Sequence, residues 1–557
     1  MKNNSIFFLK VVIPILIFVT HGRAQQFSFD NEEIEKKYPV IPYPVELIPN
    51  QGGFEINNKT YIWVEDEEIR KVANFLRDEI KENFGLLLDC KTDLKRENSI
   101  SFSFDKEITH IEGYTLEITP SGIDIRFKSP KGAFYAVQTL IQLFPEEVIQ
   151  TNHSSGYIIP SVFIRDYPQL SYRGYMLDVS RHFFSIDFLK KIIDVLAYYK
   201  LNIFHLHLTD DQGWRVEIKK YPKLHKVGAW REETQVGHRT DLPITFDGVK
   251  HGGYYTQNEL KELVQYAEQR FITIIPEIDI PGHAQAILAA YPQLGCIEDT
   301  TYKVSTVWGV HDNLLCPYEE TFNFLEEVFD EIINIFPGKY IHIGGDEVVK
   351  RRWKNSEFCQ DLIQKKNLKD EKGLQSYFIS RVEEHLNSKG KIIIGWDEIL
   401  EGGLAPNATV MSWRGESGGI EAAQKKHPVI MTPNAYMYFN YYNTIKKLEL
   451  EPLANSNSLP LKKVYDYYFL PKQLSDNQEQ FIIGLQACLW TEYVKTEEQV
   501  EALTFPRLCA MSESAWTPQK SKNYDSFYKR LISNIKHLEN KGINYSRLFL
   551  NPVNNNY

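Results

Sequence analysis

Between residues 168 and 518 the sequence alternates short, almost continuous apolar runs with longer amphipathic stretches. Continuous apolar strands are typical of parallel sheets that helices cover on the outside. Eight such strand–helix units predict an α/β fold in which a (β/α)8 TIM barrel with insertions forms the catalytic domain. The runs are 172–179, 201–208, 271–280, 340–343, 391–394, 409–413, 428–432 and 481–489.

The stretches between the runs have helical spacing, most clearly at 185–199, 256–270, 319–336 and 373–388. Ser185 and Thr256 are good N-cap residues for the first two of these helices. The alternation is least regular at 435–480, where we expect a long aromatic excursion in place of a simple helix.

A small α+β domain is predicted before the barrel. Residues 67–84 have helical spacing, 129–144 are a second helix, and 114–118 with 123–127 form a hairpin around a Thr-Pro-Ser-Gly turn. The expected domains are a signal peptide at 1–24, this α/β domain at 38–160, the barrel at 165–520, and a C-terminal helix and tail at 521–557.

The first residues predict export. Lys2 precedes a nine-residue apolar run at 11–19, and Gly22 and Ala24 lie at the −3 and −1 positions of a cleavage site before Gln25. The run is short for a membrane span, and no later segment is long and apolar enough for one. We therefore expect a protein without an integral membrane segment after cleavage, in the periplasm, on the outer surface or secreted. The net charge of −10 disfavours a nucleic-acid partner.

The six cysteines include no C-x-x-C pair, which disfavours a zinc ribbon or a thioredoxin-type site. Cys296 and Cys316 flank a polar stretch, and we expect them to pair across it in an oxidising compartment. No metal ligand set or cofactor is predicted.

Polar residues follow six of the apolar runs, where the strand ends of a barrel converge on the active-site face. After the fourth run, Asp346 and Glu347 are adjacent. Paired carboxylates near tryptophans suggest glycoside hydrolysis, but neighbours on one turn cannot readily flank a sugar as separate nucleophile and acid. Adjacency fits a substrate-assisted route, in which the sugar's acetamido oxygen attacks and one carboxylate orients it.

At this point the chain resembles the family 20 β-N-acetylhexosaminidases. The segment HIGGDE at 342–347 matches the family signature, and five more segments match barrel strands in order: 173–184, 205–215, 276–283, 395–398 and 489–492. The resemblance implies an exo-acting, retaining enzyme that releases terminal β-linked N-acetylglucosamine or N-acetylgalactosamine from glycans.

The resemblance also implies residue roles. Glu347 would be the general acid and then the base, with a pKa raised by partial burial. Asp346 would accept the acetamido N–H, and Tyr438 would bind the acetamido oxygen. Asp210 and His283 would lie behind Glu347, with Asp211 as an alternative partner. The remaining substrate-binding residues would be Arg173 and Glu492, for the C3 and C4 hydroxyls, and the pocket walls Trp396, Trp413 and Trp490.

One position departs from the family pattern. Its seventh-strand loop usually reads Tyr, an apolar residue and then Asp, whereas this chain has Asn440 in the third place. Loss of that negative charge suggests tolerance of 6-O-sulfated N-acetylglucosamine, and a neutral replacement that binds a plain hydroxyl is the alternative.

Two other functions remain open from the residues. His205, His207 and Asp210 have the spacing of ligands in a metal-dependent amidohydrolase. A non-catalytic glycan-binding protein would keep the tryptophans but does not need Asp346 and Glu347 together.

Overall fold

The computed structural model describes residues 31–92, 97–145, 149–151, 154–297, 300–445 and 451–551. The expected signal peptide therefore lies outside the described residues. Within the described part of the chain, no helix is both long and apolar enough to cross a membrane.

The first domain is a mixed sheet with helices packed on it. Its strands follow the order β1-β8-β5-β6-β4-β2-β3, with β7 beside β8. The predicted hairpin is present as the antiparallel pair β5–β6. The strands are β1 (Glu46–Asn57), β2 (Tyr61–Val64), β3 (Asp89–Lys91), β4 (Ser99–Phe104), β5 (Tyr114–Thr119), β6 (Gly122–Phe127), β7 (Ile149–Thr151) and β8 (Ser154–Asp166), and the helices are α1 (Asn31–Lys37), α2 (Arg70–Phe84) and α3 (Pro130–Gln142).

The described residues of the second domain form sixteen further strands, several of them two-residue pairs within insertions. They are β9 (Tyr172–Asp178), β10 (Ile203–His207), β11 (Thr209–Asp210), β12 (Gly213–Trp214), β13 (Trp230–Arg231), β14 (Gln235–Val236), β15 (Thr245–Phe246), β16 (His251–Gly252), β17 (Thr273–Glu277), β18 (Tyr340–His342), β19 (Ile392–Trp396), β20 (Thr409–Ser412), β21 (Val429–Met431), β22 (Tyr441–Tyr442), β23 (Asn455–Ser458) and β24 (Ile482–Leu489).

Eight of these strands close a parallel barrel in the order β10-β17-β18-β19-β20-β21-β24-β9. Each of the eight apolar runs supplies one strand, so the predicted TIM-barrel fold is confirmed. Strand β9 is buried at every residue, which explains why its sequence lacks the alternation of a half-exposed strand.

Helices connect and surround the strands. Ser185 caps α4 through its side chain, and Thr256 forms a capping box with Glu259 at the start of α6, as the sequence predicts. The helices of this domain are α4 (Ile186–Tyr198), α5 (Lys223–Lys226), α6 (Gln257–Glu268), α7 (Gln285–Ala290), α8 (Glu319–Ile335), α9 (Arg351–Lys354), α10 (Glu357–Lys365), α11 (Glu371–Ser388), α12 (Ser417–Gln424), α13 (Asn434–Met437), α14 (Leu461–Asp466), α15 (Asp476–Glu479), α16 (Glu497–Thr504), α17 (Arg507–Trp516) and α18 (Tyr524–Asn540).

The first domain covers the amino end of the barrel through buried charged pairs. Arg173 at the start of β9 contacts Glu112 at 2.9 Å, and Lys200 contacts Asp166 at 2.9 Å. Arg173 also donates to the carbonyls of Leu170 and Lys200. The assignment of Arg173 to the sugar is therefore wrong, because this side chain is 1% exposed at the end of the barrel away from the strand-end loops.

Three cysteines meet beside the barrel, and all six are free thiols. The ligand atoms of Cys296, Cys316 and Cys359 all lie within 4.8 Å of one another. The structure thus corrects the expected Cys296–Cys316 disulfide: the two residues are neighbours, but a third cysteine from helix α10 completes the group.

Candidate active site

A cavity of about 320 Å³ opens at the carboxyl end of the barrel, and we call it the pocket. Its volume is at the low end of the range for small-molecule sites, which suits a single sugar ring. Eight of the predicted site residues line it: His283, Asp346, Glu347, Trp413, Tyr438, Asn440, Trp490 and Glu492.

Asp346 and Glu347 follow strand β18 in a tightly constrained loop. Gly344 and Gly345 have positive φ angles, and a Cβ atom on Gly344 would lie 1.7 Å from Asp279 Oδ1. Glu347 itself has φ of 49°, a left-handed conformation that non-glycine residues seldom adopt. In an extended chain neighbouring side chains point in opposite directions. This turn instead lets two adjacent carboxylates face the same pocket.

His283 connects the carboxylates to the layer behind them. Its Nε2 atom lies 3.5 Å from Glu347 and 3.8 Å from Asp346, while its Nδ1 atom lies 3.2 Å from Asp210 and 3.1 Å from Asp211. The alternatives Asp210 and Asp211 thus both contact this ring. Burial lowers the pKa of His283, but the carboxylates of Asp210, Asp211 and Glu347 outweigh burial and raise it well above the ordinary value.

The pKa of Glu347 differs from the expectation. Burial raises its pKa, but the hydrogen bond and positive charge of His283 outweigh burial and leave the pKa below its ordinary value. The expectation of a raised pKa is therefore wrong for this arrangement. At Asp346, burial dominates and raises the pKa to about 6.

Aromatic rings wall one side of the pocket. Tyr438 stacks on Trp413 with the ring centroids 5.9 Å apart, and Trp490 lies 6.2 Å from Tyr438. Trp396 is 1% exposed and is not among the lining residues. It lies beneath Trp490, with centroids 5.7 Å apart, and donates to Glu277. The structure therefore corrects its role from a wall to a support.

Arg181 lines the pocket and Arg173 does not, although the family resemblance singled out only Arg173. Arg181 follows the carboxyl end of β9 and contacts Asp210 at 2.7 Å and Asp178 at 3.1 Å. Burial raises the pKa of Glu492, although the charge of Arg181 acts against this shift.

Three buried polar atoms in the pocket have no hydrogen-bond partner among the described residues. They are Asp346 Oδ1, Asn440 Oδ1 and Glu492 Oε2. Buried polar groups are normally paired, so unpartnered ones in a cavity indicate where a ligand supplies the missing hydrogen bonds. All three are acceptors, and hydroxyl and amide groups are the donors that would match them.

Asn440 lines the same pocket as does part of a loop that carries one cation, Arg239, and one anion, Asp241. Its side chain is 4% exposed, and the pocket continues past it to His238 and Arg239 in the insertion between β14 and β15. Arg239 is exposed and has no ion pair among the described residues. This loop, like Trp308, carries no periodic pattern, and the sequence did not single out either one.

The histidines that suggested an amidohydrolase are engaged elsewhere. His207 contacts Glu277 through Nδ1 at 2.6 Å and Asp210 through Nε2 at 2.8 Å. The flanking carboxylates raise its pKa well above the ordinary value despite burial, and each ring nitrogen already has a carboxylate of the protein as its partner. This donor set does not fit the amidohydrolase alternative.

The closed barrel, its strand-end pocket and the adjacent carboxylates define a glycosidase-type protein. Comparison with known proteins identifies it more closely. The catalytic domain of glycosyl hydrolase family 20 matches residues 170–519, and domain 2 of the same family matches residues 37–167. The chain belongs to glycosyl hydrolase family 20.

Relatives from bacteria are similar over most of the chain. A β-hexosaminidase of Porphyromonas gingivalis is 44% identical over 92% of this chain, and one of Vibrio furnissii is 36% identical over 72%. The chain spans 65% and 64% of the lengths of these two relatives.

Solved structures agree in fold. The exo-β-N-acetylglucosaminidase of Vibrio harveyi in complex with N-acetylglucosamine superposes with a TM-score of 0.81 at 30% identity, over 92% of this chain and 78% of that one. A mutant β-hexosaminidase of Streptomyces plicatus in complex with its product gives 0.78 at 30% identity, over 92% and 96%.

Proposed function

We propose that this protein is an exo-acting β-N-acetylhexosaminidase that releases terminal β-linked N-acetylglucosamine or N-acetylgalactosamine from glycans by substrate-assisted catalysis. The observation that carries the proposal is the side-by-side placement of Asp346 and Glu347 in a pocket of single-sugar size. The product complexes of the related enzymes support the same sugar class.

In the first step the acetamido carbonyl oxygen attacks C1, and the glycosidic C1–O bond breaks. The leaving oxygen takes the bond's electron pair and a proton from Glu347. Asp346 accepts a hydrogen bond from the acetamido N–H through its unpartnered Oδ1 atom and balances the positive charge of the cyclised intermediate. In the second step water attacks C1 and Glu347 takes a proton from this water. The bond between C1 and the acetamido oxygen breaks, which restores the acetamido group and gives overall retention at C1.

The proton on Glu347 has a source in the pocket. Before a glycan enters, His283 and Glu347 form an ion pair at 3.5 Å. A neutral imidazole and a neutral carboxyl group carry the same total charge as that pair. Because desolvation disfavours charged groups, a sugar that expels water from the pocket favours transfer of the proton from His283 to Glu347.

A panel of nitrophenyl N-acetylhexosaminides tests the proposal. We expect turnover of the β-linked N-acetylglucosaminide and N-acetylgalactosaminide, and no turnover of the matched glucoside, which lacks the acetamido group. Binding of N-acetylglucosamine without turnover would instead identify a glycan-binding protein.

A finer proposal concerns the substituent at C6 of the sugar. We propose that the pocket accepts 6-O-sulfated N-acetylglucosamine, and Asn440 and Arg239 support this. An Asp in place of Asn440 would repel a sulfate by about 4 kcal/mol at about 4 Å and an effective dielectric constant of about 20. Arg239 adds the positive partner that the neighbours of Asn440, Phe439 and Tyr441, do not provide.

The sulfate proposal predicts a change in substrate ratio. Asn440→Asp should lower kcat/KM for the sulfated substrate relative to the plain one by roughly a hundredfold, and Arg239→Ala by roughly tenfold, since its exposed charge is screened. An unchanged ratio in Asn440→Asp would leave the residue as a ligand of a plain hydroxyl.

A further inference from the structure

Three of the six cysteines come from separate parts of the chain and converge on one point. Cys296 follows a 3-10 turn after helix α7, Cys316 precedes helix α8, and Cys359 is the third residue of helix α10. The Sγ atoms of Cys316 and Cys359 are 3.6 Å apart, and the Sγ atoms of all three lie within 4.8 Å of one another. None of the three lines the pocket.

The backbone around the cluster holds the sulfurs in place without a bond between them. Gly295 and Leu315 form a β-bridge, and the Cys316 N–H donates to the Leu294 carbonyl at 2.8 Å. Ser356 caps helix α10 and accepts a hydrogen bond from the Cys359 N–H. Cys316 and Cys359 are both 0% exposed, whereas Cys296 is half-buried. Ligands fixed in this way lose little entropy when they bind an ion.

The position of one of the three cysteines favours its thiolate form. Cys359 lies in the first turn of helix α10, where the helix dipole stabilises negative charge. A thiolate is the form in which cysteine binds metal ions.

Geometry distinguishes two uses for three clustered sulfurs. A disulfide would join two of them at about 2.05 Å and leave the third thiol buried against the bond. A metal ion uses all three: two thiolates on one zinc ion at about 2.3 Å each, in tetrahedral geometry, lie about 3.8 Å apart. The separation of Cys316 and Cys359 is close to the second value.

We propose that Cys296, Cys316 and Cys359 form a binding site for one thiophilic d10 metal ion, Zn²⁺ or Cu⁺. Soft thiolate ligands select these ions over harder divalent cations. Three thiolates complete a trigonal Cu⁺ site, and a Zn²⁺ ion would take its fourth ligand from solvent on the half-buried Cys296 side.

The position of the site indicates that a bound ion would stabilise two segments next to the pocket. The Leu315 N–H, next to Cys316, donates to the carbonyl of Pro281, two residues before His283. Trp353, between Glu347 and Cys359 in the chain, donates its indole N–H to the Leu315 carbonyl at 3.0 Å. An ion on the three sulfurs would therefore connect the loop that carries His283 with the segment that follows Glu347.

Metal content of the full-length protein tests the proposal. Reduced, metal-free protein is titrated with Zn²⁺ and, in a separate anaerobic arm, with Cu⁺, against a chromophoric competitor, and native mass spectrometry counts the bound ions. We expect one equivalent per chain in one arm or both, with the ion displacing the protons of the cluster thiols. The Cys359→Ser variant should lose this equivalent, and Cys90→Ser, which changes a half-buried cysteine in the first domain, should keep it.

A second measurement on the unaltered protein keeps the test independent of how the variants fold. Thiol labelling should find Cys296, Cys316 and Cys359 protected in the metal-loaded protein and all three reactive after chelation and unfolding. Absence of metal uptake in both arms would overturn the proposal, as would a disulfide between any two of the three in protein isolated without reductant.

Discussion

Strand β9 has an arginine at its amino end and another just past its carboxyl end, and the two have opposite surroundings. Arg173 donates to two backbone carbonyls and to the Tyr135 hydroxyl, and it pairs with Glu112 of the first domain. Arg181 pairs with Asp178 and Asp210 and lines the pocket.

The difference lies in where hydrogen bonds remain to be made. At the amino end the protein itself provides the hydrogen-bond partners of Arg173, which is typical of a structural residue. At the carboxyl end, Asp346, Asn440 and Glu492 each keep a buried polar atom without a partner among the described residues. In a barrel of this type the amino end serves stability and the carboxyl end carries the chemistry.

Removal of the two arginines gives the largest contrast. Loss of one partner of a buried ion pair costs about 3–5 kcal/mol. We expect Arg173→Met to lower the free energy of unfolding by this amount, with kcat/KM of the folded protein within about threefold of wild type. Arg181→Met should lower kcat/KM by at least about a hundredfold. Chemical denaturation and steady-state kinetics on both variants measure the two effects.

The comparison between the strand ends would fail if the effects were exchanged. A folded Arg173→Met protein with a hundredfold lower kcat/KM, or an Arg181→Met protein with full activity, would contradict it.

A smaller effect is expected on stability at Asp346. Its raised pKa of about 6 means that ionisation at neutral pH is unfavourable in the folded protein, by about 3 kcal/mol for about two pKa units. The cost develops as pH rises from about 4 to about 6 and is complete at pH 7. Asp346→Asn should therefore unfold at a higher temperature than wild type at pH 7, and the difference should shrink below pH 4. An equal or lower melting temperature of Asp346→Asn at pH 7 would show that ionisation of Asp346 does not destabilise the folded protein.

The same pKa predicts an acidic limb in the pH profile of kcat/KM. The Asp346 carboxylate must be ionised to accept the acetamido N–H, so kcat/KM should fall by about tenfold per pH unit below about pH 6. The limb should be absent from the residual activity of Asp346→Asn. A profile that stays flat down to pH 5 would show that the Asp346 carboxylate is not the acceptor of the acetamido N–H.

The sequence predicts the barrel because its buried strands are continuous apolar runs, and strand-end placement predicts most of the pocket. The sequence does not show which of Arg173 and Arg181 faces the pocket, since both belong to one matching segment. The structure decides this, because Arg173 lies at the amino end of β9 and Arg181 follows its carboxyl end. Residues on irregular loops, such as Arg239 and Trp308, follow no periodicity. The domain limits and the export signal stay predictions.

Electrostatics was the least predictable property of the site. Partial burial alone predicts a raised pKa for Glu347, but His283 approaches it from another strand end and reverses the shift. Likewise, Cys359 lies 43 residues beyond Cys316 and joins the cysteine cluster only through the placement of helix α10.

Leaving-group dependence tests the division of labour between Asp346 and Glu347 most directly. The kcat/KM values of wild type, Glu347→Gln and Asp346→Asn are compared across aryl N-acetylglucosaminides whose leaving phenols range from acidic to weakly acidic. Glu347→Gln should lose about 10²–10⁴-fold with weakly acidic leaving groups and far less with strongly acidic ones, because these depart without a proton. Asp346→Asn should lose activity by a similar factor throughout the series. Equal losses in both variants across all leaving groups would contradict the account.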